Sequence, residues 1–209
     1  MAPTDLPRHT LVWVDAAAAP MDSGMRAWFV RGRPAVVARR ANDDRADKVR
    51  VGIALPPSEG GMRLGGTFSA SAITRWREPL TLAEIYFHAP QEWQEGLRDL
   101  AIIGRGLWMK PRVYGSFAWQ ALTLENYLNA SSDIDLVWQL ASKAQADPLV
   151  AALSNWEMRT ARRVDGEMIF GAHRAVCWRE WAQTTSRVLV KTIDAVKLLP
   201  RAELASLLL

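Results

Sequence analysis

The stretch Ser132-Asp133-Ile134-Asp135-Leu136 decides how this sequence is interpreted. Residues 132–140 are largely apolar, which predicts a buried β-strand. Side chains two apart in a strand point to one face, so Asp133 and Asp135 project together while Ile134 and Leu136 enter the core. Adjacent carboxylates repel each other unless water or a cation separates their charges, and Mg²⁺ prefers oxygen ligands. The pair is therefore a candidate magnesium site, with a solvated strand face as the alternative.

A second pair of residues, Gly115-Ser116, lies upstream, between a predicted strand at 112–114 and a predicted helix at 116–127. Glycine allows close approach of a backbone, and the free N–H groups at a helix start bind phosphate oxygens. Alone, Gly-Ser is typical of a turn with a helix cap. Combined with the two aspartates on the next strand, it favours a phosphoryl-transfer site.

A third carboxylate is expected from the strand predicted at 163–170. Asp165 and Glu167 share one face of that strand, and either one is a candidate to complete a metal shell or to accept a proton. A solvated strand edge is the alternative for one of the two. Four basic residues are candidates for phosphate contacts, with surface charge as the alternative for each: Lys110, Arg112, Arg179 and Lys191.

The rest of the chain predicts an α+β protein with two domains and a boundary near Glu78. Residues 1–78 are predicted to form a small β-rich α+β domain, with strands at 11–14, 35–38, 49–55 and 62–68 and a helix at 25–30. Residues 79–209 are predicted to form a second, catalytic domain with a mixed sheet flanked by helices. Its remaining predicted elements are helices at 91–103, from Asp147-Pro148 with Asp147 as the N-cap, and at 198–208, and strands at 175–181 and 187–191.

The composition of the chain limits the kinds of molecule that it is expected to bind. The net charge of +4 is spread along 209 residues without a basic block, which fits an anionic small substrate or an acidic protein and argues against nucleic acid. The single cysteine, Cys177, excludes an internal disulfide and is interpreted as a core residue. No apolar run approaches the roughly 20 residues that span a bilayer, and residues 1–8 lack an apolar signal core. We therefore expect a soluble cytoplasmic protein with no membrane partner.

The chemistry-bearing residues resemble the polymerase-β-like nucleotidyltransferases, and in particular the malonate decarboxylase holo-acyl-carrier-protein synthases, also called phosphoribosyl-dephospho-CoA transferases. The most specific part of the resemblance is the block from Val113 to Thr123, then Tyr127-Leu128, then the two-aspartate strand. Supporting segments are Arg8 to Trp13, Gly32-Arg33-Pro34, Asp165-Gly166-Glu167, Ala175 to Trp181 and Val188 to Lys191. One departure is Leu124, where this family is expected to have glycine; we expect the helix to continue through it.

The resemblance implies that residues 79–209 form a nucleotidyltransferase-fold domain, and it also implies a reaction. Enzymes of this family take 2′-(5″-triphosphoribosyl)-3′-dephospho-CoA and transfer its phosphoribosyl-dephospho-CoA part to a serine of the malonate decarboxylase acyl-carrier subunit, releasing diphosphate. Gly115 and Ser116 would then hold the departing phosphates, and Asp133 and Asp135 would hold Mg²⁺. A second Mg²⁺, held with Asp165 or Glu167, would lower the pKa of the serine hydroxyl.

Two alternatives remain at this stage. One keeps the nucleotidyltransferase chemistry with another protein or a small molecule as acceptor. The other is a catalytically silent module that binds a nucleotide or a carrier protein. The N-terminal domain is expected to bind the large substrate or to dock the carrier protein.

Overall fold

The computed structural model describes residues 6–41 and 43–208 of the chain. The strands within these residues are β1 (Leu11–Val14), β2 (Ala35–Val37), β3 (Lys48–Ala54), β4 (Arg63–Ser69), β5 (Ile73–Arg77), β6 (Arg112–Val113), β7 (Ile134–Gln139), β8 (Val164–Phe170), β9 (Arg174–Cys177), β10 (Arg187–Lys191) and β11 (Val196–Pro200). The α-helices are α1 (Gly24–Val30), α2 (Leu82–Ile85), α3 (Gln94–Gly106), α4 (Gly115–Thr123), α5 (Ala146–Thr160), α6 (Trp178–Ala182) and α7 (Arg201–Ala205). None of the described helices has both the length and the apolar character needed to cross a membrane.

The described chain forms two compact units. One takes the residues before Leu80 together with Leu122–Tyr127 and Ile193–Ala195, and the other takes Leu80–Ala121, Leu128–Thr192 and the residues from Val196 onward. Each unit contains one sheet, with helices beside it. The predicted α+β class, with a β-rich first part and a mixed sheet with flanking helices in the second, is confirmed.

The first unit is built on an antiparallel sheet of order β4-β3-β2-β1-β5. Strand β3 alternates as predicted, with Val49, Val51 and Ile53 buried and the residues between them half-buried. Helix α1 buries three side chains, and the ring of Phe29 meets that of Phe68 edge to face at 5.6 Å. This alternation is what made β3 predictable, since one face of the strand is apolar.

Strand β5 was missed because it carries no such alternation. Ile73 is its one buried residue, and the four that follow are exposed. The strand exists because it pairs antiparallel with β1, with Val12 opposite Trp76. Pairing with a distant partner therefore decides this strand, and no local pattern indicates it.

The second unit has a six-stranded sheet of order β11-β10-β9-β8-β7-β6. Strands β7 and β8 are parallel, joined by a crossover that contains α5, and the other described pairs are antiparallel. One face of this sheet is the core, with Ile134, Leu136, Trp138, Met168 and Phe170 at 0% exposure. The crossover places the two acidic strands side by side and parallel. A tight hairpin could not do so, because it joins only antiparallel strands.

Two predicted helix boundaries are wrong. The helix predicted at 116–127 ends at Thr123, because Leu124 takes a left-handed conformation with φ +62°. Helix α5 begins at Ala146 with Gln145 as its N-cap, so Asp147 lies inside the first turn and is not the N-cap that was predicted. Asp147 instead accepts a hydrogen bond from the indole of Trp181 at 2.8 Å.

The carboxyl-terminal elements also differ from the prediction. The strand predicted at 175–181 ends at Cys177, where α6 begins. The helix predicted at 198–208 is instead strand β11 followed by α7. Leu198 lies opposite Leu189 in the β10–β11 ladder, so cross-strand pairing overrides the helical propensity of the leucines.

Candidate active site

Acidic side chains from β7 and β8 occupy the sheet face opposite the core. In the parallel ladder Asp135 lies directly opposite Asp165, while the neighbours Ile134 and Val164 are fully buried on the other face. Adjacent strands are about 4.8 Å apart, so the two carboxylates extend from the same face on neighbouring strands. Both residues are half-buried. The structure thus brings together two of the predicted acids from different parts of the chain.

Asp133 precedes the first residue of β7. Its carboxylate lies 3.3 Å from Nε of Arg163, and the two side chains are 37% and 59% exposed. An ion pair so open to water contributes at most about 1 kcal/mol. The carboxylate of Asp133 is therefore accessible, and another cation can readily replace Arg163 as its partner.

Gly115 lies against the carboxylate of Asp135. Its φ is +67°, and a Cβ built on it would lie 1.9 Å from Oδ2 of Asp135. The residue before Gly115 is also held to Asp135, because the backbone N–H of Tyr114 donates to the backbone carbonyl of Asp135 at 3.1 Å. No side chain fits between the start of α4 and Asp135, so the glycine is required by both space and backbone conformation.

Helix α4 is held in this position by its buried face. Phe117, Ala118 and Trp119 are buried, and the Phe117 ring packs edge to face on Trp93 at 6.0 Å. Ser116, the second helical residue, is half-buried. The free N–H groups of the first turn therefore lie next to Asp135, which is the arrangement that the sequence predicted for a phosphate cradle beside an acid.

A second glycine fixes the register of the two acidic strands. Gly166 has φ +149°, and a Cβ there would lie 2.0 Å from the carbonyl oxygen of Leu136. The backbones of β7 and β8 approach each other too closely here for any other residue. Gly166 thereby keeps Asp165 opposite Asp135.

The two acids of β8 have different surroundings. Glu167 is 4% exposed, and Nζ of Lys191 lies 3.0 Å from its Oε1. Asp165 is more accessible, with Oδ1 accepting from the backbone N–H of Gly166 at 2.7 Å. Glu167 is therefore neutralised within the protein, whereas Asp165 lies beside another acid.

Cys177 belongs to this face and is not the core residue that was expected. It lies opposite Glu167 in the β8–β9 ladder and is half-buried, with Sγ 3.9 Å from Oδ1 of Asp165. Its neighbour Val176 is the residue that enters the core, at 0% exposure. The apolar composition of β9 concealed which of its residues face the acids.

The four predicted basic residues are found in different places. Arg112 lies opposite Val137, two residues after Asp135 in β7, and therefore on the acidic face. Lys191 is on that face too, paired with Glu167. Lys110 is exposed and lines a different cavity of about 620 Å³, with Leu82, Arg105 and Trp108 among its walls.

Arg179, the fourth basic residue, is on α6. Its guanidinium donates to both carboxylate oxygens of Glu157 and, at 3.0 Å, to the carbonyl of Val164. The hydrogen bonds and charge of Glu157 raise the pKa of Arg179, and the charge of Asp165 contributes to the same rise. Arg179 thus clamps the start of β8 and lies within electrostatic reach of the acidic pair.

One pair of residues near the acids was missed from the sequence. Arg162 and Arg163 lie between α5 and β8, and Arg163 reaches Asp133. The available signal was the Arg-Arg dipeptide directly before the strand that carries the third carboxylate. Two adjacent arginines are common at surfaces, so the dipeptide alone indicated nothing.

The donor atoms of these acidic residues decide whether they can hold a metal ion. In the described part of the chain, no group of three or more His, Cys, Asp or Glu side chains is arranged to hold a metal ion by itself. Asp133, Asp135 and Asp165 nevertheless offer oxygen donors on adjacent chain segments. Mg²⁺ is commonly held by one or two carboxylates together with substrate phosphates. These residues fit an ion that arrives with its phosphate ligand.

Comparison with known proteins gives one consistent result. Residues 81–202 match the family model of the phosphoribosyl-dephospho-CoA transferase MdcG C-terminal domain, and residues 7–79 match that of the corresponding N-terminal domain. A phosphoribosyl-dephospho-CoA transferase of Xanthomonas campestris pv. campestris (strain 8004) is 43% identical, covering 94% of this chain and 95% of its own. Proteins of the same name from Bradyrhizobium diazoefficiens and Pseudomonas aeruginosa are 32% and 30% identical, each covering 95% of this chain and 92% and 88% of their own. No solved structure gives a significant match.

Proposed function

We propose a function on one premise: the chain belongs to the phosphoribosyl-dephospho-CoA transferase family. The proposed reaction moves the phosphoribosyl-dephospho-CoA group of 2′-(5″-triphosphoribosyl)-3′-dephospho-CoA to a serine of the malonate decarboxylase acyl-carrier subunit. The serine oxygen forms a bond to the α-phosphorus, the bond from that phosphorus to the diphosphate breaks, and the serine proton leaves to a base. A phosphodiester on the carrier and free diphosphate result.

This is nucleotidyltransferase chemistry, and the observation that carries it is the parallel pair Asp135 and Asp165 with Gly115 against the first of them. Phosphoryl transfer depends on positioning and on neutralising charge, more than on covalent help from the protein. The first turn of α4, including Ser116, supplies N–H donors for phosphate oxygens next to these acids. Arg112 adds a positive charge on the same face.

Mg²⁺ fits the acid set, and Asp133, Asp135 and Asp165 are the residues proposed to hold it. When bound, it would neutralise phosphate charge and lower the pKa of the incoming serine hydroxyl. The protein's own contribution is to keep these carboxylates in register. Gly166 does this through the close approach of β8 to the carbonyl of Leu136.

Between the two acids of β8, we assign the third carboxylate to Asp165. Glu167 is nearly inaccessible and has its charge matched by Lys191 at 3.0 Å. Taking Glu167 from Lys191 would leave a charge without its partner in a partly buried site, which is costly. Asp165 is opposite Asp135 and more accessible, so it is the residue placed to accept the serine proton or to bind the cation. Glu167 and Lys191 then act as a positioning pair.

A protein acceptor is supported by an apolar strip on the acidic face of the sheet. The ladder registers run from Glu167 and Ile169 through β9 to β10 and β11, so these strands present one continuous face. On it Leu189, Val196 and Leu198 are 38%, 41% and 51% exposed. Exposed apolar side chains close to a catalytic site suit contact with a protein surface.

The N-terminal unit is proposed to bind the large substrate or the carrier protein. Its surface includes a cavity of about 660 Å³ at α1, lined by Met21 and Val30 together with Arg26 and Arg31. Met21 and Val30 are 75% and 69% exposed. Apolar side chains beside arginines suit an acidic partner with apolar contacts.

The experiment that tests the function is intact-mass analysis of the carrier subunit. The subunit is incubated with this protein, the triphosphoribosyl substrate and Mg²⁺, and the expected result is a mass gain equal to one phosphoribosyl-dephospho-CoA group. A carrier with the acceptor serine changed to alanine is the matched control and should gain nothing. Absence of a mass gain with folded protein would refute the acceptor. Labelling that persists in excess chelator would refute the metal-dependent mechanism.

A further inference from the structure

A cationic cleft lies beside Asp133, and its residues have no role in the mechanism above. It is lined by Glu157, Ala161, Arg162, Arg163 and Arg179 and has a volume of about 440 Å³. Ala161 ends α5 in a left-handed conformation with φ +51°, so the chain turns sharply just before the two arginines. The cleft is therefore lined by three guanidinium groups and one carboxylate, and its volume is large enough for a diphosphate.

The charges of the cleft are not balanced internally. Glu157 is fully used, because its oxygens accept from Arg179 and from the backbone N–H of Val164. Within the described residues Arg162 has no carboxylate partner, and its guanidinium lies 4.5 Å from the ring centre of Trp93. Stacking on an aromatic ring leaves the edge N–H groups of a guanidinium available as donors. Arg162 is thus a half-buried cation positioned on a rigid support.

Arg163 is the second available cation. Its contact with Asp133 is a single 3.3 Å ion pair between side chains that are open to water, so it holds Arg163 only weakly. A phosphate oxygen competes well with such a partner, since charge-assisted hydrogen bonds from arginine to phosphate are among the strong ones. Arg163 therefore connects the cleft to the acidic site.

From these observations we propose that Arg162 and Arg163 form an anion subsite that binds a diphosphate group, with Arg179 as the fixed third wall. The identity of the ligand rests on the proposed function, whose substrate offers two diphosphates: the one that departs and the one that joins adenosine to pantetheine. Both present the same chemistry to the arginines. The cleft would hold one of these two diphosphates, and separate titrations with inorganic diphosphate and with dephospho-CoA distinguish them.

The test measures binding by the full-length protein, without carrier and without turnover. Inorganic diphosphate and dephospho-CoA are titrated separately by calorimetry in the presence of chelator. Arg162→Gln with Arg163→Gln is expected to weaken binding of at least one of the two by about tenfold or more. Weaker binding of inorganic diphosphate assigns the cleft to the leaving group, and loss confined to dephospho-CoA assigns it to the bridging diphosphate. Arg179 is left intact because its clamp on Glu157 and Val164 supports the fold.

A matched control removes the same two charges elsewhere. Arg45 and Arg63 are exposed residues of the N-terminal unit, and Arg45→Gln with Arg63→Gln should leave both affinities unchanged. An equal loss in the two double variants would overturn the subsite in favour of general charge attraction, and unchanged affinities in the Arg162 and Arg163 variant would overturn it directly. A folded subsite variant is verified by its melting temperature. Because no transfer is measured, failure here leaves the proposed reaction standing, and failure of transfer leaves the subsite standing.

Discussion

Two acidic sites, one in each unit, have opposite electrostatic surroundings. In the N-terminal unit, the Asp44 side chain is 5% exposed and accepts two hydrogen bonds from Arg50, at 2.7 and 2.9 Å. In the second unit, Asp135 and Asp165 extend from the same face at opposed positions of neighbouring strands. The first arrangement matches opposite charges and stabilises the fold. The second sets like charges together, which costs free energy unless a cation or substrate uses them.

Strand direction accounts for part of this difference. Asp44 lies in the loop before β3 and Arg50 lies in β3, so this pair is only six residues apart in sequence. The parallel pair β7 and β8 is joined through α5, and its opposed acids are thirty positions apart in sequence. Distant segments can combine residues that no local pairing would place together. We therefore assign a functional role to the pair Asp135 and Asp165 and a stabilising role to the pair Asp44 and Arg50.

The largest expected effect tests the functional side of this comparison. Asp135→Asn should lower the rate of carrier labelling by roughly a hundredfold or more, because the proposed cation site loses a charged ligand. The melting temperature should change little, since the amide has nearly the same size and shape as the carboxylate. Rate is measured by intact mass and stability by thermal melting. A large fall in melting temperature with labelling intact would reverse the assignment of roles.

Two glycines with nearly equal backbone angles give the second test. Gly115 and Gly32 have φ +67° and +69°, but a Cβ at Gly115 would lie 1.9 Å from Asp135, whereas at Gly32 nothing lies within 4 Å. Gly115→Ala should therefore displace Asp135 and lower labelling by about tenfold or more, whereas Gly32→Ala should cost about 1 kcal/mol of stability and leave labelling unchanged. Equal effects on labelling would mean that backbone strain alone, and not the close approach to Asp135, explains the first result.

The third test concerns the stabilising pair, Asp44 and Arg50. Arg50 and the backbone N–H of Ala41 hold the pKa of Asp44 down to about 2, from an ordinary value near 3.8. A lowered folded-state pKa gives stability that is present above pH 4 and is lost as the pH falls towards 2. Asp44→Asn should cost about 2 kcal/mol at neutral pH and should remove that part of the acid sensitivity. Urea unfolding at pH 7 and pH 2.5 measures both.

Asp47→Asn is the control for this third test. Asp47 pairs with Arg45 at 3.0 Å, and the two side chains are 56% and 78% exposed. An exposed pair contributes little because water screens it, so the expected loss is much smaller than at Asp44. Equal losses at Asp44 and Asp47 would contradict the importance of burial for the Asp44–Arg50 pair.

The features that could be predicted from the sequence are those that depend on residues close together in the chain. The burial of Ile134 and Leu136 on one face of β7 depends on local alternation, and the start of a helix within one residue of Ser116 depends on a local turn; both were predicted. The register of Asp135 with Asp165 and the pairing of Glu167 with Lys191 join residues 24 to 30 positions apart, which no local pattern encodes. The resemblance to a family supplied the function, while the choice between Asp165 and Glu167 needed the surroundings of each.

The smallest expected effect concerns Leu124, where the predicted helix continued and the real one ends. Leu124 follows the last residue of α4 with φ +62° and is 77% exposed, so its side chain gains little burial to offset the strained backbone. A left-handed residue other than glycine costs about 1–2 kcal/mol, and glycine regains part of that against its greater freedom in the unfolded chain. Leu124→Gly should therefore raise the free energy of unfolding by about 0.5 kcal/mol, measured by urea titration, with labelling unchanged. The comparison is sharpened by Ala161→Gly, which relieves a similar angle, φ +51°, at the end of α5 in the other unit. A gain at Ala161 with a loss at Leu124 would mean that the leucine side chain stabilises its turn, which would explain why this chain keeps leucine where its relatives are expected to have glycine.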